Sequence, residues 1–189
     1  MEEYKSRLAQ NEERKFEWKR DAWEWVESIA ISVATLVFVF VFIFRIVGIS
    51  GHSMDDTLHD ADRIVITSLF YTPAQGDIVV INQPNEFGEP IIKRIIALGG
   101  QTVDIDFDTG EVSVDGKVLD EPYISTPTQR DEGVSFPVTV PEGMVFVMGD
   151  NRMNSTDSRS EKIGMIDTRY ILGKAVFRIY PFDRIGFIS

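Results

Sequence analysis

The sequence predicts a mainly β protein: a single N-terminal transmembrane helix, then a mostly antiparallel β-sheet or barrel-like domain carrying a small β-meander subdomain. Two patterns lead there. No charged residue occurs from Ser28 to Phe44, and the apolar run resumes after Arg45 with Ile46-Val47-Gly48-Ile49. About 20 apolar residues rising ~1.5 Å each cross a hydrocarbon core of ~30 Å, and Ser28 to Val47 has that length. Beyond Ile49 the pattern changes to short β-branched and aromatic runs separated by turn residues, the signature of strands.

Taken in order, residues 1–27 mix both signs of charge, with Glu12, Glu13 and Glu17 three or four positions from basic neighbours, as on a solvated helix. They form a charged segment expected on the cytoplasmic side. Phe16, Trp18, Trp23 and Trp25 gather at its end, where rings with a polar edge favour the headgroup region. Residues 28–48 are read as the transmembrane helix, with Arg45 reaching to the interface near its outer end. Lys15, Lys19 and Arg20 precede it, against Arg45 and Arg63 close behind, so the remaining domain is expected outside the cytoplasm of a cell membrane crossed once. A cleavable leader fits less well, because the apolar run is long and no A-x-A-like site follows it.

The outer domain, 49–189, offers strands at Arg63–Thr67, Asp77–Ile81, Ile91–Leu98, Thr102–Phe107, Glu111–Val114, Val138–Val140, Met144–Met148 and Gly173–Ile179. Between them stand Gln75-Gly76, Gly99-Gly100, Asp108-Thr109-Gly110, Asp115-Gly116 and Pro141-Glu142-Gly143, which punctuate turns. The alternation of Val103, Ile105 and Phe107, then Val112 and Val114, predicts a β-meander within a small subdomain at about 100–145. Pro122 to Gly133 has no periodicity and is expected to be a surface loop.

Composition narrows the chemistry. With no cysteine there is no disulfide, no thiolate nucleophile and no Cys-based zinc site. A net charge of −11 argues against a nucleic-acid partner, which requires a basic face. His52 and His59 lie among four acids, but their spacing fits no defined ligand set, and no metal or cofactor is expected.

Three stretches could carry a reaction. Ser53, in Ile49-Ser50-Gly51-His52-Ser53-Met54, follows the apolar run and would need a base to become a nucleophile. Lys93 stands in Pro90-Ile91-Ile92-Lys93-Arg94-Ile95-Ile96, where alternation sends it to an apolar face with Ile91 and Ile95. A desolvated lysine loses basicity and can accept a proton near neutral pH; a lysine that only reaches to solvent is the alternative. The third is Gly149 to Arg159, whose density of acids, arginines, amides and hydroxyls suits a buried network or an Asx-rich surface turn.

Together these stretches resemble the type I signal peptidases, membrane-bound Ser/Lys proteases that remove signal peptides from exported proteins. The resemblance rests on Ser53-Met54-Asp55-Asp56-Thr57-Leu58, on Lys93 to Gly100, and on Gly149-Asp150-Asn151-Arg152-Met153-Asn154-Ser155-Thr156-Asp157-Ser158-Arg159. Gly76-Asp77-Ile78-Val79 and Gly173-Lys174-Ala175 fit lesser signatures. It implies Ser53 as nucleophile, Lys93 as general base, Ser155 as the hydroxyl positioning the amine, and Asp157 with Arg159 as a supporting ion pair. It also implies the Ser53 backbone N–H in the oxyanion hole, and small substrate residues received by Val47, Ile49, Met54, Leu58, Ile91 and Ile92. Gly51 stands where some members have a second, hydroxyl donor. Asp56 and Gly99 replace prolines of the pattern and Gln101 replaces an acid; the charge of Asp55-Asp56 beside Ser53 is expected to hold Lys93 protonated.

The expected activity is therefore a membrane-anchored serine endopeptidase that removes signal peptides after small residues, through an acyl-enzyme. Its expected partners are secreted preproteins and the lipid bilayer. The rival is a non-catalytic relative acting as a binding or assembly factor for surface proteins; a self-cleaving repressor-type protease is disfavoured by the anchor.

Overall fold

The computed structural model describes Trp18, residues 21–39, 44–84 and 88–188. It divides into two compact units, Met1–Ile43 and Phe44–Ser189. Most of the charged N-terminal segment lies outside the described residues. In the first unit α1, Asp21–Val39, is long and apolar enough to cross a membrane, and its apolar side chains are exposed all round.

The second unit begins with a correction. Phe44–Gly48, assigned from sequence to the end of the transmembrane helix, is strand β1, antiparallel to β2, Arg63–Thr67. An apolar run of β-branched and aromatic residues is ambiguous between the two states, and here the ladder along β2 decides it. Arg45, expected at the membrane interface, is an exposed residue of this strand, opposite Ile66.

The main sheet continues with β3 (Ile78–Ile81), β4 (Ile91–Leu98), β9 (Met144–Met148), β10 (Ile166–Asp167), β11 (Ile171–Tyr180) and β12 (Gly186–Phe187). Its order is β1-β2-β11-β3-β4-β9-β10, with β12 also on β11, and every pairing is antiparallel. A second, four-stranded sheet holds β5 (Thr102–Asp106), β6 (Glu111–Val114), β7 (Lys117–Val118) and β8 (Val138–Thr139), in the order β7-β6-β5-β8. This is the antiparallel β fold the sequence predicts.

Period-2 alternation explains the packing. In β3, Ile78 and Val80 enter one apolar cluster with Met54, Leu58, Ile64 and Ile66, while Val79 and Ile81 enter another with Ile95, Val145 and Val147. In β9, Phe146 and Met148 face Val103, Ile105, Val112 and Val114 of the small sheet, which docks through that third cluster. Two departures from the family pattern are accommodated here. A Cβ at Gly99 would stand 3.0 Å from the backbone at Pro141 and Glu142, and Gln101 accepts a hydrogen bond from the Leu98 N–H at 2.9 Å.

Candidate active site

The chain leaves β1 into a loop closed at its base by Ile49 N–H to Asp62 carbonyl, 2.8 Å, and Ala61 N–H to Ile49 carbonyl, 3.0 Å. Within it the N–H groups of Thr57 and Leu58 both donate to the Met54 carbonyl, making a tight turn. Met54 and Leu58 are fully buried, 1% and 0% exposed, so they anchor this turn in the core and leave Ser53 partly exposed above it. Neither lines the cleft beside Ser53. Gly51 has φ +92°, where an L side chain is strained, so the absence of a serine there follows from this backbone. Its N–H donates to Asp60; the Ser53 N–H has no hydrogen-bond partner among the described residues.

Lys93 lies opposite Val79 in the β3–β4 ladder and is 4% exposed. Its Nζ donates to Ser53 Oγ at 2.6 Å. Burial lowers its pKa to about 8, against Asp157, Glu132 and Asp150, which raise it, while Arg159 adds to the lowering. Asp55 and Asp56 are not among the charges acting on it, contrary to expectation. Asp55 instead pairs with His52 at 3.0 Å, and Asp56 Oδ2 accepts from the Ser125 N–H at 2.9 Å. Asp56→Ala is expected to leave the pH dependence of activity in place and to lower stability by no more than about 1 kcal/mol, the worth of one exposed hydrogen bond, measured by denaturant melts.

The polar turn after β9 is a buried network rather than a surface turn. Asp157 accepts from the Gly149 N–H, from Ser155 Oγ at 2.7 Å and from Arg159 Nε at 2.8 Å; Ser155, Asp157 and Arg159 are all 0% exposed. The Ser155 hydroxyl thus goes to Asp157, and Ser53 Oγ is the one hydrogen-bond partner of Lys93 Nζ among the described residues. Burial raises the Asp157 pKa, but the Arg159 contacts and the Gly149 and Ser155 hydrogen bonds outweigh it and hold the carboxyl below its ordinary value. The turn also grips the serine loop, since the Asn151 N–H donates to the Ser53 carbonyl at 3.1 Å and its side chain to the His52 carbonyl.

Residues 47–53 and 89–93 enclose a cleft of about 530 Å³ with Val80, Asn154 and Thr156. Val47, Ile49, Ile91 and Ile92 supply apolar walls, with Ser53 and Lys93 between them. A hydroxyl against a buried amine of lowered pKa, beside an unpartnered N–H, is equipped for acyl transfer.

Residues 22–180 match the family model described as signal peptidase, peptidase S26. The chain belongs to that family. It is 38% identical over 184 residues to signal peptidase I of Bacillus licheniformis, covering 92% of this chain and 97% of that protein. It is 35% identical over 180 residues to signal peptidase I S of Bacillus subtilis (strain 168), covering 88% and 94%. A solved signal peptidase I from Enterococcus faecalis V583 aligns at 29% identity and a TM-score of 0.45, over 55% of this chain and 97% of that one. Signal peptidases are hydrolases, and membership makes this chain one of the signal-peptide-removing class.

Several residues of this signal peptidase site carry parts that its sequence did not disclose. Arg94 and Asp150 form a buried ion pair at 2.8 Å, 2% and 0% exposed, and Thr57 Oγ1 donates to the same carboxylate. Tyr123 lays its ring 3.9 Å from the Arg94 guanidinium carbon, and Glu121 pairs with Arg152 at 2.6 Å. The stretch expected as a surface loop therefore packs on the site, with Thr128 fully buried and its Oγ1 accepting from Arg152 Nη1 at 2.6 Å. Arg94 and Asp150 both lie within the motifs that carry the resemblance, but nothing in the sequence tells that they meet.

Proposed function

We propose that this signal peptidase cuts exported preproteins outside the cytoplasm, using Ser53 as nucleophile and Lys93 as general base. The observation that carries the reading is the 2.6 Å approach of a buried lysine, its pKa lowered to about 8, to a hydroxyl at the floor of an apolar cleft. Neutral Lys93 accepts the Ser53 proton as Oγ adds to the scissile carbonyl carbon, and the oxyanion turns to the free Ser53 N–H. The carbon–nitrogen bond breaks as Lys93 returns that proton to the leaving amine. Water then attacks the acyl-enzyme, giving Lys93 a proton that passes back to Ser53. These steps call for no cofactor. Ser155, Asp157 and Arg159 hold the amine indirectly, through the charge and packing of the polar turn.

Shallow walls from Val47, Ile49, Ile91 and Ile92 favour small side chains flanking the cut, as in an A-x-A site. Helix α1 supplies the anchor, and Lys15, Lys19 and Arg20 set its N-terminus in the cytoplasm.

Cleavage of an A-x-A preprotein in detergent micelles tests this. Ser53→Ala and Lys93→Ala, both still folded, are expected to lose at least about a thousandfold in kcat/KM. The sign of the pH dependence follows from which form of the lysine reacts: kcat/KM climbs as pH rises through about 8 and levels off above it. A folded wild type that cuts no member of a varied preprotein panel would replace this reading with that of a binding or assembly factor.

A further inference from the structure

We propose that Glu132 is a positioning residue for the reaction: its buried carboxylate, lodged against the Asp157–Arg159 pair, helps set the electric field in which Lys93 works. The inference rests on Lys93 being the base.

The geometry is unusual for a glutamate. Its side chain is 5% exposed, and both carboxylate oxygens are buried without a well-formed hydrogen bond, the Asp157 backbone N–H lending a weaker contact. The nearest cation, Arg130 Nη2, stands 3.1 Å from Oε1 but is itself 42% exposed, so it neutralises the acid only from its solvent side. Glu132 is nevertheless held firmly in place. Arg159 Nη1 donates to the Arg130 carbonyl at 3.1 Å, the Val134 N–H donates to the Arg159 carbonyl at 3.2 Å, and Gly133 bridges to Ser160. Residues 130–134 are thus laced to the polar turn that carries Arg159, with Glu132 pressed inward between those ties.

The charged groups around it are Arg130 from its own segment, Asp157 and Arg159 from the polar turn, and Lys93 from β4. Burial and the Asp157 charge push the Glu132 carboxyl up, while Arg159, Arg130 and the Asp157 backbone N–H pull it down. Toward Lys93, Glu132 acts in the same direction as Asp157 and Asp150: it raises the amine's pKa against the effect of burial, which Arg159 reinforces. A carboxylate buried with so little hydrogen bonding costs stability, and an apolar or amide side chain of similar size would fill the space. What it supplies is charge behind the lysine. Without it burial acts with less opposition, the neutral amine prevails at lower pH, and the lysine becomes a weaker base.

The test is the pH profile of kcat/KM for the full chain in detergent micelles, for wild type, Glu132→Gln, Glu132→Asp and Lys93→Ala. Alongside it, the rate of reductive methylation of Lys93 is followed against pH by peptide mass spectrometry, which reads the amine without turnover. Glu132→Gln is expected to move both midpoints down by roughly 0.3–1 pH unit, with Glu132→Asp staying closer to wild type. Melting curves establish that each variant is folded. Unmoved midpoints in folded Glu132→Gln, including a fall in rate that is equal at every pH, would overturn the proposal. Activity that survives Lys93→Ala would instead sink the Ser/Lys reading, whatever Glu132 does; the methylation midpoint still decides whether Glu132 acts on the lysine.

Discussion

Gly149→Ala is expected to cut kcat/KM by at least about a hundredfold and to destabilise the protein by ~1–3 kcal/mol. A Cβ at this position would drive into Ser155 Oγ and the Ser53 carbonyl oxygen, and would stand 2.6 Å from Ser155 Cβ. Neither obstacle can swing aside. The Ser53 carbonyl is held by the Asn151 N–H, and Ser155 Oγ by Asp157, which also accepts from the Gly149 N–H itself. One added methyl therefore pushes the serine loop away from β9, while Lys93 stays fixed on β4. Displacements of ~1 Å at reacting atoms cost about a hundredfold in rate, which is why activity should suffer far more than stability. Steady-state cleavage and thermal melts on one preparation measure both. Activity within tenfold of wild type would mean that the serine loop is not seated on Gly149 as described.

Asp150→Ala carries the largest expected cost in stability, about 3–5 kcal/mol, because it strands the guanidinium of Arg94 in the interior. That guanidinium is 2% exposed and makes two bonds to the carboxylate, from Nε at 2.9 Å and from Nη2 at 2.8 Å. The Gly76 carbonyl at 2.8 Å, Thr57 Oγ1 at 3.5 Å and the face of Tyr123, which it also contacts, offer no compensating charge. The same carboxylate accepts from Thr57 in the serine loop, so the loss of stability and of activity should come together. Thr57→Val removes only that hydroxyl and is expected to cost about 1–2 kcal/mol. Chemical denaturation of the three proteins gives the comparison; an Asp150→Ala protein within 1 kcal/mol of wild type would contradict a buried, mutually dependent pair.

How much of this was legible depended on range. Strands β3, β4 and β9 follow from local alternation and β-branched content; the clusters divide by odd and even positions in β3 and β9, whereas the irregularity between Ile95 and Ala97 puts Ile96 and Ala97 of β4 in one cluster. Lys93 was legible for the same reason, as a cation where the pattern wanted an apolar residue. Strand β1 was not, because Phe44–Gly48 continues an apolar run without a break and only pairing with Arg63–Thr67 reveals its state. Met54 and Leu58 sit at positions matched to a pocket, yet the turn between them sends both side chains into the core. The stretch from Pro122 to Gly133 reads as a surface loop since it has no periodicity, and the contacts that hold it and the adjoining Glu121 are not local. Their partners are remote: Arg152 answers Glu121 across 31 positions, and Arg159 reaches the Arg130 carbonyl across 29. Residue types are written in the sequence, whereas the pairing of distant charges is a property of the fold.

The central claim is that Ser53 forms a covalent bond to substrate with Lys93 taking its proton, and the most direct test is to trap that bond. A preprotein with an A-x-A site is mixed with excess enzyme near pH 8, quenched in acid within the first turnovers, and the digested protein read by mass spectrometry. The expected adduct is the signal-peptide acyl group on the peptide containing Ser53, present in wild type and absent from both Ser53→Ala and Lys93→Ala. An adduct on another residue, or steady cleavage by folded Ser53→Ala, would contradict the account.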